Sequence, residues 1–406
     1  MARNIIALES LGCKLNQAES ESLARQFAKM GYHIVPPSDG ADIYILNTCT
    51  VTHIADRKSR HLLRLARRRS PDALIIAIGC YAERAPEVLA HIEGVDLILG
   101  NDEKARLLDV LGERGMISTN SAICPPMLRT RSLVKVQEGC NQFCAYCIVP
   151  LVRGRERSLP LDEAVDEVKA RVEMGYLEVV LTGTQIGAYR PSLELLIQRI
   201  LAETGVRRLR LSSLQSRDIT TELLALWQDE KLCRHLHLPL QSGSDPVLRR
   251  MRRGYSVDDY EKAVVMIREA IPDVAITTDI MVGFPGESDE EFEESHCFCQ
   301  RMSFANIHVF PFSERPGTLA TLMPEKVGER VKKERSERML KLAKESARRF
   351  EVQFLGRTMR VLWEREVDDG VWVGLTDNYI RVFVQSDEPL KNRLSEVKVN
   401  EERRLP

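Results

Sequence analysis

No apolar run in the chain reaches the roughly 18 residues that a membrane-spanning helix needs. The first residues, MARNIIALESLGC, lack the apolar core of a secretory signal, and a cytoplasmic protein is expected. No internal repeat or low-complexity segment is visible. An excess of charge of one sign is missing overall, since the net charge is −1. Acids are missing locally, however: Arg57 to Arg69 (RKSRHLLRLARRR) contains none. What the chain does have is cysteine. Ten cysteines in a reducing compartment point to metal binding, catalysis or burial rather than disulfides.

At 406 residues the chain is long enough for two or three domains with cores of their own. Over residues 1–118 apolar segments alternate with amphipathic helical patterns. Strands are predicted at Asn4–Leu8, Asp42–Leu46, Ala73–Ile78 and Val95–Leu99, and helices at Gln17–Met30 and Asp56–Arg69. Such alternation predicts a parallel, Rossmann-like α/β domain. Residues 119–131 (TNSAICPPMLRTR) read as a linker. Strand–helix alternation resumes over residues 132–345 with about six strands in roughly 200 residues. A full barrel needs about 250, so a partial (β/α)6 barrel is predicted. Residues 346–406 change to period two, with turns at Asp368-Asp369-Gly370 and Thr376-Asp377-Asn378. They predict a small antiparallel β-barrel.

The densest cysteine motif is EGCNQFCAYC, with Cys140, Cys144 and Cys147 at C-x3-C-x2-C. It follows the strand predicted at Leu133–Val136, at the carboxyl end where barrel active sites are built. No fourth ligand is local. A closed zinc site would need one, whereas a 4Fe-4S cluster on three cysteines leaves an iron open for chemistry. Zinc with a distant partner, or three unligated cysteines, are the alternatives. The motif and its placement resemble the radical S-adenosylmethionine (SAM) enzymes. That resemblance implies that the amino and carboxylate groups of SAM ligate the open iron, and that reduction yields a 5′-deoxyadenosyl radical.

Three more cysteines, Cys13 (LGCK), Cys49 (NTCT) and Cys80 (GCYAE), each follow a predicted strand. Ends of parallel strands share one edge, and ligands bind outside it. These cysteines are therefore expected to converge, with Gly12 and Gly79 serving tight turns. The alternative is three buried cysteines that happen to follow strands.

The combination LGCKLNQAESE, NTCTVTHIADRKSR, GCYAER and GCNQFCAYCIVPLVRGRERS resembles the radical SAM methylthiotransferases over essentially the whole chain. The C-terminal β-domain resembles the RNA-binding TRAM domain. The wording LGCK-x-N and NTC-x-VT is closest to the bacterial branch acting on N6-threonylcarbamoyladenosine at tRNA position 37, next to the anticodon. The isopentenyladenosine branch and the branch modifying a ribosomal-protein aspartate are the alternatives, and a zinc-containing RNA-binding protein is the remote one. The resemblance implies two 4Fe-4S clusters. One, on Cys13, Cys49 and Cys80, holds sulfur that one SAM methylates. The other, on Cys140, Cys144 and Cys147, uses a second SAM to generate the radical that attacks C2 of the adenine. It also implies a one-electron reductant such as a flavodoxin and a sulfur donor.

Strand-end loops supply further candidates. The resemblance gives Thr182, Gly183 and Thr184 contacts with SAM, although an ordinary turn would equally explain Gly183. Ser213 and Gln215 close the next strand, and Gln215 stands where relatives often carry a carboxylate. Gln241 and Ser242 are candidates for the ribose or carboxylate of SAM. Gly283–Glu287 (GFPGE) reads as a structural loop. Arg57, Arg60, Arg64 and Arg67 lie on one helical face and suit phosphates. Arg153, Arg155 and Arg157, and Arg249, Arg250, Arg252 and Arg253, either contact RNA or are solvated. Trp363, Trp372 and Tyr379 either stack on bases or pack in a core. Cys124, Cys233, Cys297 and Cys299 are read as unligated.

Overall fold

In a computed structural model the described residues are 5–115, 117, 127 and 129–400. Cys124 and most of the linker lie outside them. The chain forms two compact units. One comprises the residues below 129 with Glu138–Glu156 and Ser313–Thr321. The other comprises Arg129–Gln137, Arg157–Phe312 and the residues from Leu322 onward. The three-cysteine loop after the first barrel strand therefore belongs to the N-terminal unit.

That unit is built on β1 (Ile5–Ser10), β2 (His33–Val35), β3 (Ile43–Thr48), β4 (Leu74–Gly79) and β5 (Leu97–Leu99), all parallel, in the order β2-β1-β3-β4-β5. Every residue of β3 and β4 is buried, as expected of strands covered on both faces. Alternate residues feed two cores. Ile6, Ile45 and Ile76 pack with Phe27 and Leu107 on one face. Ala7, Leu46 and Ile75 pack with Leu63 and Leu89 on the other. Each such aliphatic side chain contributes about 1.5–3 kcal/mol on burial. The helix Lys14–Lys29 covers the first face and His53–Arg69 the second. The three-residue edge strand β2 is too short to show a period in the sequence.

The second unit contains β6 (Arg131–Lys135), β9 (Glu178–Thr182), β10 (Arg208–Leu211), β11 (His235–His237), β12 (Ala275–Val282) and β13 (Asn306–Pro311). The two-residue strands β7 (Gln137–Glu138) and β8 (Arg157–Ser158) flank the cysteine loop in sequence. The parallel sheets β6-β9-β10 and β11-β12-β13 are joined by bridges Leu209↔Leu232 and Ser213↔His237. This is the predicted partial barrel, with its six strands in chain order. Val179, Leu209, Leu236, Ile276 and Ile280 pack outward against helical residues such as Leu196, Tyr260 and Phe298. No helix among the described residues is long and apolar enough to cross a membrane.

After the helix Glu329–Val352, β14 (Thr358–Asp368), β15 (Val371–Thr376), β16 (Arg381–Gln385) and β17 (Leu394–Lys398) form an antiparallel sheet in the order β16-β15-β14-β17. Trp363 and Trp372 are buried in its core, and Trp363 Nε1 donates to Ser395 Oγ at 2.8 Å. Both tryptophans take the core alternative.

Candidate functional site

The strand order of the N-terminal sheet reverses between β1 and β3, and ligands of open α/β sheets bind outside the strand ends at such a point. Cys13 is the N-cap of the helix Lys14–Lys29, Cys49 directly follows β3, and Cys80 opens the helix Cys80–Arg84. The strands run past the predicted ends at Leu8, Leu46 and Ile78. Polar residues continue the ladder there, through Ser10↔Asn47 and Thr48↔Gly79. The cysteines therefore sit closer to the strand ends than apolar periodicity indicated.

Side chains beside each cysteine tie the three loops together. Thr48 Oγ1 accepts from the N–H groups of Tyr81 and Ala82, both at 3.2 Å, linking the Cys49 and Cys80 turns. Asn16 Nδ2 donates to Leu11 O at 2.8 Å and Thr48 O at 2.9 Å, linking the Cys13 and Cys49 turns. Asp56 accepts from Arg84 at 2.9 Å and Arg315 at 2.7 Å, fixing the start of the helix after Cys49. Gly12 adopts φ +91°, and a Cβ there would lie 2.5 Å from Cys49 Sγ. Gly12→Ala is expected to push Cys49 out of place. Iron bound per chain should fall by about half, the content of one cubane cluster of two, and full iron retention would contradict this close approach.

Burial raises the Cys49 thiol to about 12, and the neighbouring Cys13 and Cys80 add to the rise. Burial also raises Cys13, against the pull of Arg153. By surface area Cys13 nonetheless reaches the surface. The Asn16 and Thr48 hydrogen bonds hold the three cysteine-bearing turns at one edge of the sheet. Thiols as reluctant to ionise alone as Cys13 and Cys49 are deprotonated by a metal. Arg153 supplies a compensating charge: it is buried, bonded to Glu19 at 3.0 Å and Glu138 at 2.8 Å, and also reaches Asn16. Lys104 holds the other Glu19 oxygen at 2.6 Å. Three convergent thiols with a buried cation behind them fit an anionic iron–sulfur cluster.

The second cysteine loop is shaped by glycine. Gly139 has φ +75°, and a Cβ there would meet Arg155 O at 2.0 Å. Cys140 N donates to Gly154 O at 3.1 Å, closing the loop at its base. Cys147 N donates to Cys144 O at 3.0 Å, and Gln142 N approaches Cys140 Sγ at 3.4 Å. Cys140 is buried, while Cys144 and Cys147 are half-buried.

In the second unit, the Thr184 hydroxyl after β9 and the Ser212 hydroxyl after β10 are buried without a hydrogen-bond partner among the described residues. Orphaned hydroxyls at adjacent strand ends fit a polar ligand such as SAM. Thr182 is buried in β9, and a Cβ on Gly183 would meet Gln137 at 2.8 Å. Ser213 bridges to His237, and Gln215 N donates to Asp218 at 2.8 Å. Gln241 has φ +72°, an uncommon conformation costing about 1–2 kcal/mol, yet its backbone is paired with Asp279 and Met281. Ser242 is turned inward, its hydroxyl against Ser295 Oγ at 2.9 Å.

The arginine stripe divides. Arg57 and Arg64 are exposed. Arg60 donates to Tyr81 Oη at 2.6 Å, and Arg67 is a clamp on the carbonyls of Gly94, Pro71 and Ala73 and on Asp96. Arg153 takes neither predicted role, contact with RNA or solvation, because Glu19 draws it inside. Arg250 is likewise bound, to Glu291 and Gly286 O. Asn16, Glu19, Lys104 and Asn101, whose Nδ2 lies 3.6 Å from Cys80 Sγ, were not named as site residues from the sequence. Asn16 alone had a local signal, standing three residues after Cys13.

A partial parallel barrel whose first strand leads into a three-cysteine loop defines a radical SAM enzyme. Residues 134–299 match the Radical SAM superfamily, and residues 5–100 match Uncharacterized protein family UPF0004. The radical SAM methyltransferase TsrM of Kitasatospora setae, solved with cobalamin and a 4Fe-4S cluster, shares the fold. Its TM-score is 0.57 at 14% identity, covering 79% of this chain and 77% of that one. The Bacillus subtilis threonylcarbamoyladenosine tRNA methylthiotransferase MtaB is 36% identical, over 97% of this chain and 93% of the relative. The Aquifex aeolicus protein of the same name is 38% identical over 93% and 96%. The Acetivibrio thermocellus tRNA-2-methylthio-N(6)-dimethylallyladenosine synthase is 35% identical over 98% and 89%. The chain belongs to the radical SAM tRNA methylthiotransferase family.

Proposed function

We propose that this enzyme methylthiolates C2 of N6-threonylcarbamoyladenosine at position 37 of tRNA. The observation that carries a two-cluster reading lies within the N-terminal unit. Cys80 packs against Ile148 and Val152, just past Cys147, and Arg153 of the same turn reaches Asn16 and Glu19 beside Cys13. Both three-cysteine sets are thus parts of one framework. We assign Cys13, Cys49 and Cys80 to the sulfur-holding cluster and Cys140, Cys144 and Cys147 to the SAM-binding cluster. When bound, the two 4Fe-4S clusters and SAM supply the electron transfer, the radical and the methylthio group.

The chain's own residues hold and orient. Arg153 offsets thiolate charge in a buried setting, where a charge-assisted contact is worth about 1.5–3 kcal/mol. Thr182, Gly183, Thr184, Ser213, Gln215 and Gln241 are assigned to SAM, with Ser242 fixing the Gln241 turn from behind. Arg57 and Arg64 are assigned to tRNA phosphates, with Arg60 and Arg67 anchoring the helix that presents them. The domain assignment follows the same reading: residues 1–118 for the auxiliary cluster, 119–131 as linker, 132–345 for radical chemistry and 346–406 as a TRAM-like RNA-binding domain. A one-electron reductant such as a flavodoxin and a sulfur donor complete the partners, in the cytoplasm.

The threonylcarbamoyl substrate is favoured by relatives of that name at 36–38% identity, beside dimethylallyladenosine synthases at 32–35%. Nucleoside mass spectrometry of tRNA from a deletion strain tests it. The 2-methylthio derivative of threonylcarbamoyladenosine should disappear. Disappearance of the dimethylallyl derivative alone would move the enzyme to the other branch.

A further inference from the structure

Three strands of the barrel bring polar side chains together where neither cysteine cluster accounts for them. Among the described residues, His237, Asp279 and His308 have ligand atoms within 4.8 Å of one another. The register explains why. Asp279 of β12 lies directly opposite His308 of β13, and His237 of β11 lies opposite Thr277, two residues before Asp279. Residues two apart on a strand share a face, so all three project from the same side of the sheet. The other side carries Ile276, Ile280 and Ile307, packed on the surrounding helices. The polar trio therefore faces the inside of the barrel.

The trio is organised. His237 Nδ1 lies 2.9 Å from Thr277 Oγ1, and its Nε2 lies 3.4 Å from Asp279 Oδ1. His308 is exposed, with its ring centre 5.8 Å from that of His237. One step toward the carboxyl ends, Met281 lies opposite Phe310 on the same face, and Phe310 is 46% exposed. An inward aromatic left open beside a few convergent polar groups is the composition of a ligand pocket. Such a ring is a platform for a base.

We propose that His237, Asp279 and His308 form the site that reads the N6 substituent of the substrate adenine, with the purine on Phe310. This rests on the methylthiotransferase reading above. A threonylcarbamoyl group carries a carboxylate, a hydroxyl and urea N–H groups. Imidazole N–H from His308 matches the carboxylate, and Asp279 accepts from the urea N–H or the hydroxyl, while His237 holds Asp279 in place. A dimethylallyl group offers none of these partners and would bury apolar surface against Asp279 and His237 instead. Rejecting a substrate that lacks the expected polar groups is where such a site gains its selectivity.

The test uses the full-length enzyme reconstituted with iron and sulfide, and two anticodon stem-loops. One bears threonylcarbamoyladenosine and the other its methyl ester, which removes the negative charge and adds one methyl group. The wild type should prefer the acid by about tenfold to a hundredfold in kcat/KM, the range of a lost charge-assisted bond. His308→Gln should reduce that preference to within about threefold, with Asp279→Asn as a second variant raising KM for both RNAs. Equal turnover of acid and ester by the wild type would overturn the proposal, as would an unchanged preference in His308→Gln. A divalent ion beyond the cluster iron, lost in Asp279→Asn, would overturn it in favour of a metal site. Modification of a dimethylallyl stem-loop and of neither threonylcarbamoyl RNA would instead overturn the functional reading itself.

Discussion

Replacing Cys13, Cys49 and Cys80 together by alanine should abolish methylthio transfer while SAM cleavage to 5′-deoxyadenosine continues. Iron should fall from about eight to about four per chain, the content of two and of one cubane cluster. The separation follows from where the thiols sit. These three follow β1, β3 and β4, whereas Cys140, Cys144 and Cys147 belong to one loop with its own backbone closure at Gly154. Loss of the first set leaves Gly139, Gly154 and the Cys144–Cys147 turn intact. It also removes the thiolates that Arg153 compensates, but Glu19 and Glu138 still pair that cation. The variant should therefore fold. Anaerobic metal analysis and nucleoside mass spectrometry are the measurements. A triple variant that still methylthiolates RNA would remove Cys13, Cys49 and Cys80 from the sulfur site. About one zinc and no iron in the wild type would remove both clusters.

The placement of Cys13, Cys49 and Cys80 on one sheet edge was legible because it needs only topology. In a parallel sheet all strands end on one edge, whatever the distances in sequence. The barrel was legible for the same reason, from alternation and strand count. Register and long-range partners were not. His308 and Asp279 are adjacent only because β12 and β13 pair Thr277 with Asn306, a register that no local pattern encodes. Arg153 looks the same in sequence as Arg155 and Arg157, yet its partner Glu19 lies 134 residues away. Arg67 continues a basic stripe, but its partners are mostly backbone carbonyls, which side-chain patterning cannot display. Trp363 and Trp372 had an aromatic's two options, and only the curl of the β14–β17 sheet decided for burial.

Glu178→Gln should destabilise the second unit by about 3–5 kcal/mol, the cost of leaving buried charge without its partner. Glu178 on β9 is fully buried between Arg210 at 2.7 Å and Arg208 at 3.1 Å, both on β10. Those two arginines do more than pair with it. Arg208 donates to Leu375 O at 3.1 Å and Arg210 to Asp377 O at 2.7 Å, with the Arg210 guanidinium 4.2 Å from the Tyr379 ring centre. One carboxylate thus pairs with both cations that dock the β15–β16 turn of the C-terminal sheet onto the barrel. Burial alone would push this carboxyl up, but Arg210 and Arg208 outweigh it and hold it at about 2, against an ordinary 4.5. A carboxyl lowered on folding stabilises fully above its unfolded value, and the contribution is lost as pH falls through the folded one. The wild type should therefore lose stability between pH 4.5 and about 2. The glutamine variant carries no titrating group there, so its deficit should be largest at neutral pH and shrink in acid. Thermal melts at pH 7 and at low pH measure this. At neutral pH the melting temperature should drop by at least about 6 °C, since each kcal/mol is worth roughly 2–4 °C in a unit of this size. A variant melting with the wild type at neutral pH would show that the arginines find other compensation, and that Glu178 is not what fastens the C-terminal sheet to the barrel.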